Sequence, residues 1–127
     1  MTDVIATNQT ILVVGGGISG MSAALEATEC GKDVILIEKN LSLGGRVSKL
    51  YKYFPKMCYP TCGMEINLRR IKANKKVRII AMAEVTGDTG NYNVNIKVAP
   101  RYVNNNCTAC GACSDATETE FANEHNY

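Results

Sequence analysis

An α/β fold is predicted for this chain: a parallel βαβ unit, then an antiparallel hairpin and a cysteine-rich C-terminal segment. Three observations carry that expectation. Two short β-branched apolar runs stand at Thr10-Ile-Leu-Val-Val14 and Val34-Ile-Leu-Ile-Glu38, apolar residues recur at helical spacing between them, and a glycine-rich turn links the first run to the helix. The chain has 127 residues, 46% apolar and 20% charged, without tryptophan, which suits one ordinary globular domain. Residues 1–100 are read as a partial nucleotide-binding domain, and residues 101–127 as a cysteine loop with an acidic tail.

The first run is a strand of the kind buried on both faces in parallel sheets. Ile18 to Cys30 places Ile18, Met21, Ala24, Leu25 and Thr28 on one helical face, and Gly31 stands at the C-cap position. Val34 to Glu38 is a second buried strand. Asn40 to Cys62, punctuated by Gly44-Gly45, Pro55 and Pro60, is read as a loop with one helical turn after Arg46. Met64 to Ala73 is expected as a helix with Ile66 and Ile71 on one side. Val77 to Val85 and Tyr92 to Val98 are expected as two strands of a hairpin joined across Gly87 to Gly90, the second alternating apolar and polar residues.

Composition excludes several classes. The longest uncharged apolar run, Thr10 to Leu25, is broken by four glycines, so nothing reaches the roughly 20 residues of a membrane helix. Met1 to Gln9 lacks the basic start and apolar core of a secretory signal, and the expected location is cytoplasmic. Arg46 to Arg78 holds ten Lys or Arg against one acid, Glu65, whereas Ser114 to Tyr127 holds four acids and no Lys or Arg. No nucleic-acid-reading motif accompanies the basic stretch, so it is taken as a solvated face or a site for an anionic cofactor, and nucleic acid is not expected as a partner.

Gly15-x-Gly17-x-x-Gly20 gains meaning from its place after a strand and at the start of a helix, with Glu38 ending the next strand. This is a Rossmann-like dinucleotide signature. Gly15 permits the tight turn, Gly17 lets the backbone approach a pyrophosphate, and Gly20 allows close packing of helix on strand. The helix N-terminus, with Ile18 and Ser19, faces the phosphates. Glu38, with Lys39 beside it, would accept hydrogen bonds from the adenosine ribose, and its charge disfavours the 2′-phosphate of NADP. Leu43-Gly44-Gly45-Arg46 then favours FAD, because it resembles the Gly-Gly-Arg segment that many flavoproteins place just after the acid.

Six cysteines in a cytoplasmic chain are expected to be ligands or redox groups. Cys107-x-x-Cys110-Gly-x-Cys113 has the spacing of three thiolates on an iron–sulfur cube, an expected [4Fe–4S] cluster, with zinc or free thiols as the competing readings. The fourth cysteine of that pattern is replaced by Thr117. Cys58-Tyr-Pro-Thr-Cys62 either supplies a missing ligand, forms a redox disulfide near the flavin, or is a pair of free buried thiols. Cys30 is read as packing only, and His125 as exposed in the tail.

In this order, Gly15 to Gly20, Glu38, Leu43 to Arg46, Cys58 to Cys62 and Cys107 to Cys113 resemble the A-type flavin subunits of heterodisulfide reductases. Tyr53-Phe-Pro-Lys-Met-Cys58, Pro60-Thr-Cys-Gly63 and Met82-Ala-Glu-Val85 look closer still to the A-type subunits of quinone-interacting membrane-bound oxidoreductases. The resemblance implies a thioredoxin-reductase-like flavoprotein that exchanges electrons with iron–sulfur clusters of partner subunits, reaching a membrane only through those partners. It also implies that backbone groups near Val85 contact the adenine. Family members are several times longer, so the chain is expected to be a fragment or short form, inactive alone and prone to self-association. A flavin-dependent disulfide reductase using Cys58 and Cys62, and a non-catalytic nucleotide-binding fragment, stand as alternatives.

Overall fold

The computed structural model describes residues 9–86, 94–100, 103–104 and 106–118. Strands β1 (Ile11–Val14), β2 (Val34–Ile37) and β3 (Val77–Ile80) form a parallel sheet in the order β1-β2-β3. Its register aligns Val13, Leu36 and Ile79 across the sheet. Helix α1 (Ile18–Glu29) connects β1 to β2, and α2 (Thr61–Ala73) leads into β3. Each crossover is the βαβ connection that the apolar runs imply.

The core lies where the two helices meet the sheet. Met21 and Leu25 of α1, Leu36 of β2, and Met64 and Ile71 of α2 form one buried cluster, flanked by Val13, Leu43, Val47, Leu68 and Val77. On α2 the buried residues are Met64 and Ile71, seven apart, with Leu68 between them. Ile66, expected on that face, is 62% exposed, because it sits two residues from Met64 and the helical period turns it to solvent. The first turn of α2 starts three residues earlier than expected, at Thr61 after Pro60. That shift moves Cys62 from a loop into the helix.

Two further corrections concern strands. β1 is not buried on both faces: Ile11 and Val14 are exposed, since β1 is an edge of the three-stranded sheet among the described residues. The stretch Val77–Val85 is not one strand. It breaks at Ala81-Met82, where Met82 takes φ 55°, and resumes as β4 (Ala83–Thr86), which pairs antiparallel with β5 (Asn95–Val98). The main chain of Glu38 explains the corner. Its N–H donates to the Ile80 carbonyl at 3.0 Å and its carbonyl accepts from the Ala83 N–H at 2.9 Å, so one residue ends the ladder with β3 and receives β4. β5 begins at Asn95 rather than Tyr92; the expected turn at 87–90 and residues 91–93 lie outside the described residues. In β5 Ile96, opposite Val85, is half-buried, while Val94 before it and Val98 are exposed. Cys30, expected to pack, caps α1 in an exposed position. His125 lies outside the described residues.

Helix α1 approaches β1 so closely at Gly20 that a Cβ there would collide with the carbonyl oxygen of Gly15. Gly20→Ala is therefore expected to destabilise the fold by about 1–3 kcal/mol. Denaturant unfolding checks this, and an unchanged midpoint would contradict the close packing.

Candidate functional site

The sequence-marked residues gather at the carboxyl edge of the parallel sheet, where ligands of open α/β sheets bind. After β1 the chain turns through Gly15, which has φ +100°, a conformation that L side chains rarely adopt. The Gly15 N–H donates to the Ile37 carbonyl at 2.7 Å. Gly17 is the N-cap of α1, with no side-chain cap, so the helix start offers first-turn N–H groups and the positive end of the helix dipole. A Cβ on Gly17 would meet nothing within 4 Å. Open space beside free helix-start donors suits a pyrophosphate. Ile18 and Ser19, on the first turn, are both exposed.

Glu38 is the acid expected to hold the ribose, and it is 5% exposed. Its Oε2 accepts the Gly16 N–H at 2.6 Å. Its Oε1 accepts both the main-chain N–H and the side-chain amide of Asn40, each at 2.8 Å. The carboxylate thus ties the glycine turn to the end of β2. Lys39 points outward and pairs with Glu84 of β4, Nζ to Oε1 at 2.8 Å. That hydrogen bond, then the charge attraction, raises the Lys39 pKa and lowers that of Glu84. Both side chains are more than half exposed, so the pair adds little stability. Its value is positional, because it joins the end of β2 to the strand that carries Val85. Val85 is half-buried and pairs with Ile96.

Gly44 and Gly45 close the site from the other side. The Gly44 N–H donates to the Gly16 carbonyl at 2.8 Å, and Gly17 and Gly44 form a short parallel bridge. A Cβ on Gly45 would come within 3.1 Å of the Gly17 Cα. The expected helical turn after Arg46 is a 3₁₀ turn over Gly45–Lys49, with the Ser48 hydroxyl donating to the Gly45 carbonyl at 2.7 Å. Arg46 on this turn is exposed. The residues that the sequence marks thus meet at this edge through Gly16, which is bonded to Glu38 on one side and to Gly44 on the other.

The cysteines fall into two places. Cys58 is half-buried and Cys62 exposed. Tyr53 bridges to Cys58 across a short antiparallel turn, its N–H donating to the Cys58 carbonyl at 3.3 Å. The Tyr53 hydroxyl also hydrogen-bonds the Cys58 sulfur, which raises the tyrosine's pKa, and the nearby Cys62 sulfur adds to that effect. Tyr51 meets Tyr59 edge-on at 5.6 Å, and Lys52 lies over the Tyr59 ring. Cys107, Cys110 and Cys113 are exposed. Among the described residues no group of three or more His, Cys, Asp or Glu stands together as a metal-binding set. Ala109 and Gly111 are both left-handed, which curls the chain about Cys110. The Ala112 N–H and then the Thr108 hydroxyl stabilise its thiolate, lowering the Cys110 pKa.

Sequence reasoning missed Asn40, Gly16 and Tyr53. The signal for Asn40 was an Asn two residues after a buried acid, since Asn amides commonly bond nearby groups. Gly16 was legible only as the middle of three glycines, yet it supplies the donor to Glu38. Tyr53 was marked only as the start of the segment Tyr53 to Cys58, with nothing to say that it would meet Cys58.

This geometry is that of an FAD-binding domain, and the chain belongs to the FAD dependent oxidoreductase family, whose model matches residues 10–113. It is similar to a CoB–CoM heterodisulfide reductase iron-sulfur subunit of Methanopyrus kandleri, 39% identical over 117 residues, covering 89% of this chain and 18% of that protein. The corresponding iron-sulfur subunit of Methanocaldococcus jannaschii is 38% identical over 128 residues, covering 95% of this chain and 19% of that protein. The chain thus spans less than a fifth of these relatives. Among solved structures, histamine dehydrogenase from Rhizobium sp. 4-9 superposes with a TM-score of 0.54 at 28% identity, over 62% of this chain and 12% of that one. L-proline dehydrogenase from P. horikoshii gives 0.53 at 25% identity, over 71% and 20%. Among the described residues no helix is long and apolar enough to cross a membrane.

The Cys110 environment gives a direct test. A stabilised thiolate reacts faster with alkylating agents near neutral pH, so Thr108→Ala is expected to slow alkylation of Cys110 at pH 7 several-fold. Site-resolved mass spectrometry measures it, and an unchanged rate would show that the hydroxyl does not support the thiolate.

Proposed function

We propose that this chain is the FAD-binding, iron–sulfur part of an electron-transfer oxidoreductase of the heterodisulfide reductase type, working with other subunits of a complex. The observation that carries the reading is the junction at the sheet edge, where the glycine turn is bonded to Glu38 on one side and to Gly44 on the other. The adenosine ribose would lie at Glu38, the pyrophosphate at Gly17 to Gly20, and the adenine near Val85. Arg46 would contribute charge beside the nucleotide. The flavin would supply the redox chemistry, accepting electrons and passing them on, while these residues bind and orient it.

Cys107, Cys110 and Cys113 are the proposed ligands of a [4Fe–4S] cluster, supported by their spacing and by the chain's curl about Cys110. The fourth ligand would come from elsewhere, for which Cys58 or Cys62 is a candidate. Partner subunits would provide the electron donor and acceptor, and contact with a membrane would run through them. A cytoplasmic setting agrees with the six free thiols. A second reading, in which Cys58 and Cys62 cycle as a dithiol against the flavin, is favoured by Tyr53, whose hydroxyl bonds the Cys58 sulfur and also feels the charge of Cys62.

Anaerobic reconstitution with FAD, iron and sulfide tests the main reading. Bound flavin with iron in stoichiometric amount, and loss of the iron in Cys110→Ser, are the expected results. Zinc without iron would contradict the cluster, and flavin reduction coupled to thiol oxidation without iron would favour the dithiol reading.

A further inference from the structure

The loop between the 3₁₀ turn and α2 turns to water a group of large apolar side chains that the core does not use. Leu50, Tyr51, Tyr53, Phe54, Met57 and Tyr59 are all exposed, Phe54 most of all. The loop is nonetheless braced from within. The Tyr53 N–H donates to the Cys58 carbonyl at 3.3 Å, and the Met57 N–H donates to the Tyr53 carbonyl at 2.8 Å. Tyr51 meets Tyr59 edge-on, and Lys52 Nζ lies 5.5 Å from the centre of the Tyr59 ring. A surface already held in shape loses little conformational freedom when something covers it.

Charge narrows what that cover is. From residue 40 to residue 64 the chain carries Arg46, Lys49, Lys52 and Lys56 and no acid. Lys52 and Lys56, on either side of Phe54 in the chain, are exposed. A second copy of the same loop would set these cations against each other. An occupant that fits is acidic and brings apolar side chains of its own. Residues 118–127 have that composition, with Glu118, Glu120 and Glu124 around Phe121 and no Lys or Arg. Residues 119–127 lie outside the described residues. Tethered at Glu118, they can extend about 30 Å, on the scale of a whole domain of this length, whose radius of gyration is about 14 Å. A tethered segment meets its target at roughly millimolar effective concentration, which favours it over a free acidic protein of modest affinity. We propose that residues 118–127 of this chain dock on the loop 50–59, their glutamates pairing with Lys52 and Lys56 and Phe121 covering Phe54. While docked, the segment closes this surface to other acidic proteins, an autoinhibitory contact. It uses neither the glycine turn nor Glu38, so it stands apart from the FAD reading.

Carbodiimide cross-linking of the full chain, which joins amines to carboxylates in direct contact, tests the docking when the links are mapped by mass spectrometry. In the monomer fraction Lys52 or Lys56 is expected to join Glu118, Glu120 or Glu124. The links should fall several-fold in about 1 M salt, where the Debye length shrinks to about 3 Å, and also in Phe54→Ser, which keeps both lysines. Cleavage after Glu118 by a Glu-specific protease gives a second readout. It should be several-fold faster in the double variant Lys52→Glu, Lys56→Glu than in the native chain, and adding Glu120→Lys and Glu124→Lys should slow it again. Absence of these links in the native chain, or equal cleavage in the native chain and the double variant, would overturn the proposal. Links found only between chains in a dimer fraction would assign the segment to a second copy and overturn the contact within one chain. Binding of the native chain to phosphatidylserine vesicles, with no such link in the free chain, would assign the loop to a membrane and overturn it as well.

Discussion

A carboxylate removed from water must be matched by donors, or its burial costs several kcal/mol. At Glu38 that requirement is met by three N–H groups from two segments, Gly16 in the turn after β1 and Asn40 beyond β2. Much of the site follows from this one matching. The Gly16 bond fixes the glycine turn, the turn fixes the start of α1, and Gly16 in turn receives Gly44, which brings the second glycine pair across the helix start. The main chain of the same glutamate ends the ladder to β3 and accepts β4. A single residue therefore sets the glycine turn, the end of the β2–β3 ladder and the corner between the two sheets.

The surroundings divide into a packed and an open side. The packed side is the contact of α1 and α2 with Leu36, where large apolar side chains are almost wholly buried. The open side includes the outer edge of β1 and the loop before α2, where Tyr51, Tyr53, Phe54, Met57 and Tyr59 are exposed. Phe54 is 86% exposed. These aromatics stand beside the exposed Lys52 and Lys56.

The βαβ unit was legible because period and punctuation agree there: β-branched runs, three glycines, a helical stripe and a terminal acid all point one way. The glycine turn, Glu38 and Gly44, which the sequence marked, are joined by hydrogen bonds in the structure. Legibility failed where a tertiary bond, not a local preference, makes the decision. Val77 to Val85 carries no glycine or proline, so nothing in it announces that Met82 turns left-handed; the cause lies in Glu38, more than forty residues earlier. The start of α2 was missed because Pro60 and Gly63 read as loop, although a proline suits the beginning of a helix. The exposure of β1 was equally hidden, since an apolar run does not say whether a neighbouring strand exists. In the cysteine segment only Cys110 has a distinct environment, and no metal-binding set of three or more His, Cys, Asp or Glu stands together among the described residues.

The Glu38 carboxylate ties the glycine turn to the end of β2, and Glu38→Gln tests most directly the proposal that this organises the FAD site. The amide keeps the shape but has one acceptor oxygen and adds two donors, so it cannot satisfy both Gly16 and Asn40. FAD titration of the two proteins, followed by flavin fluorescence, should show binding at least about tenfold weaker in the variant, as expected for loss of hydrogen bonds to a charged acceptor. Equal FAD affinity in native chain and variant would contradict the organising role of Glu38.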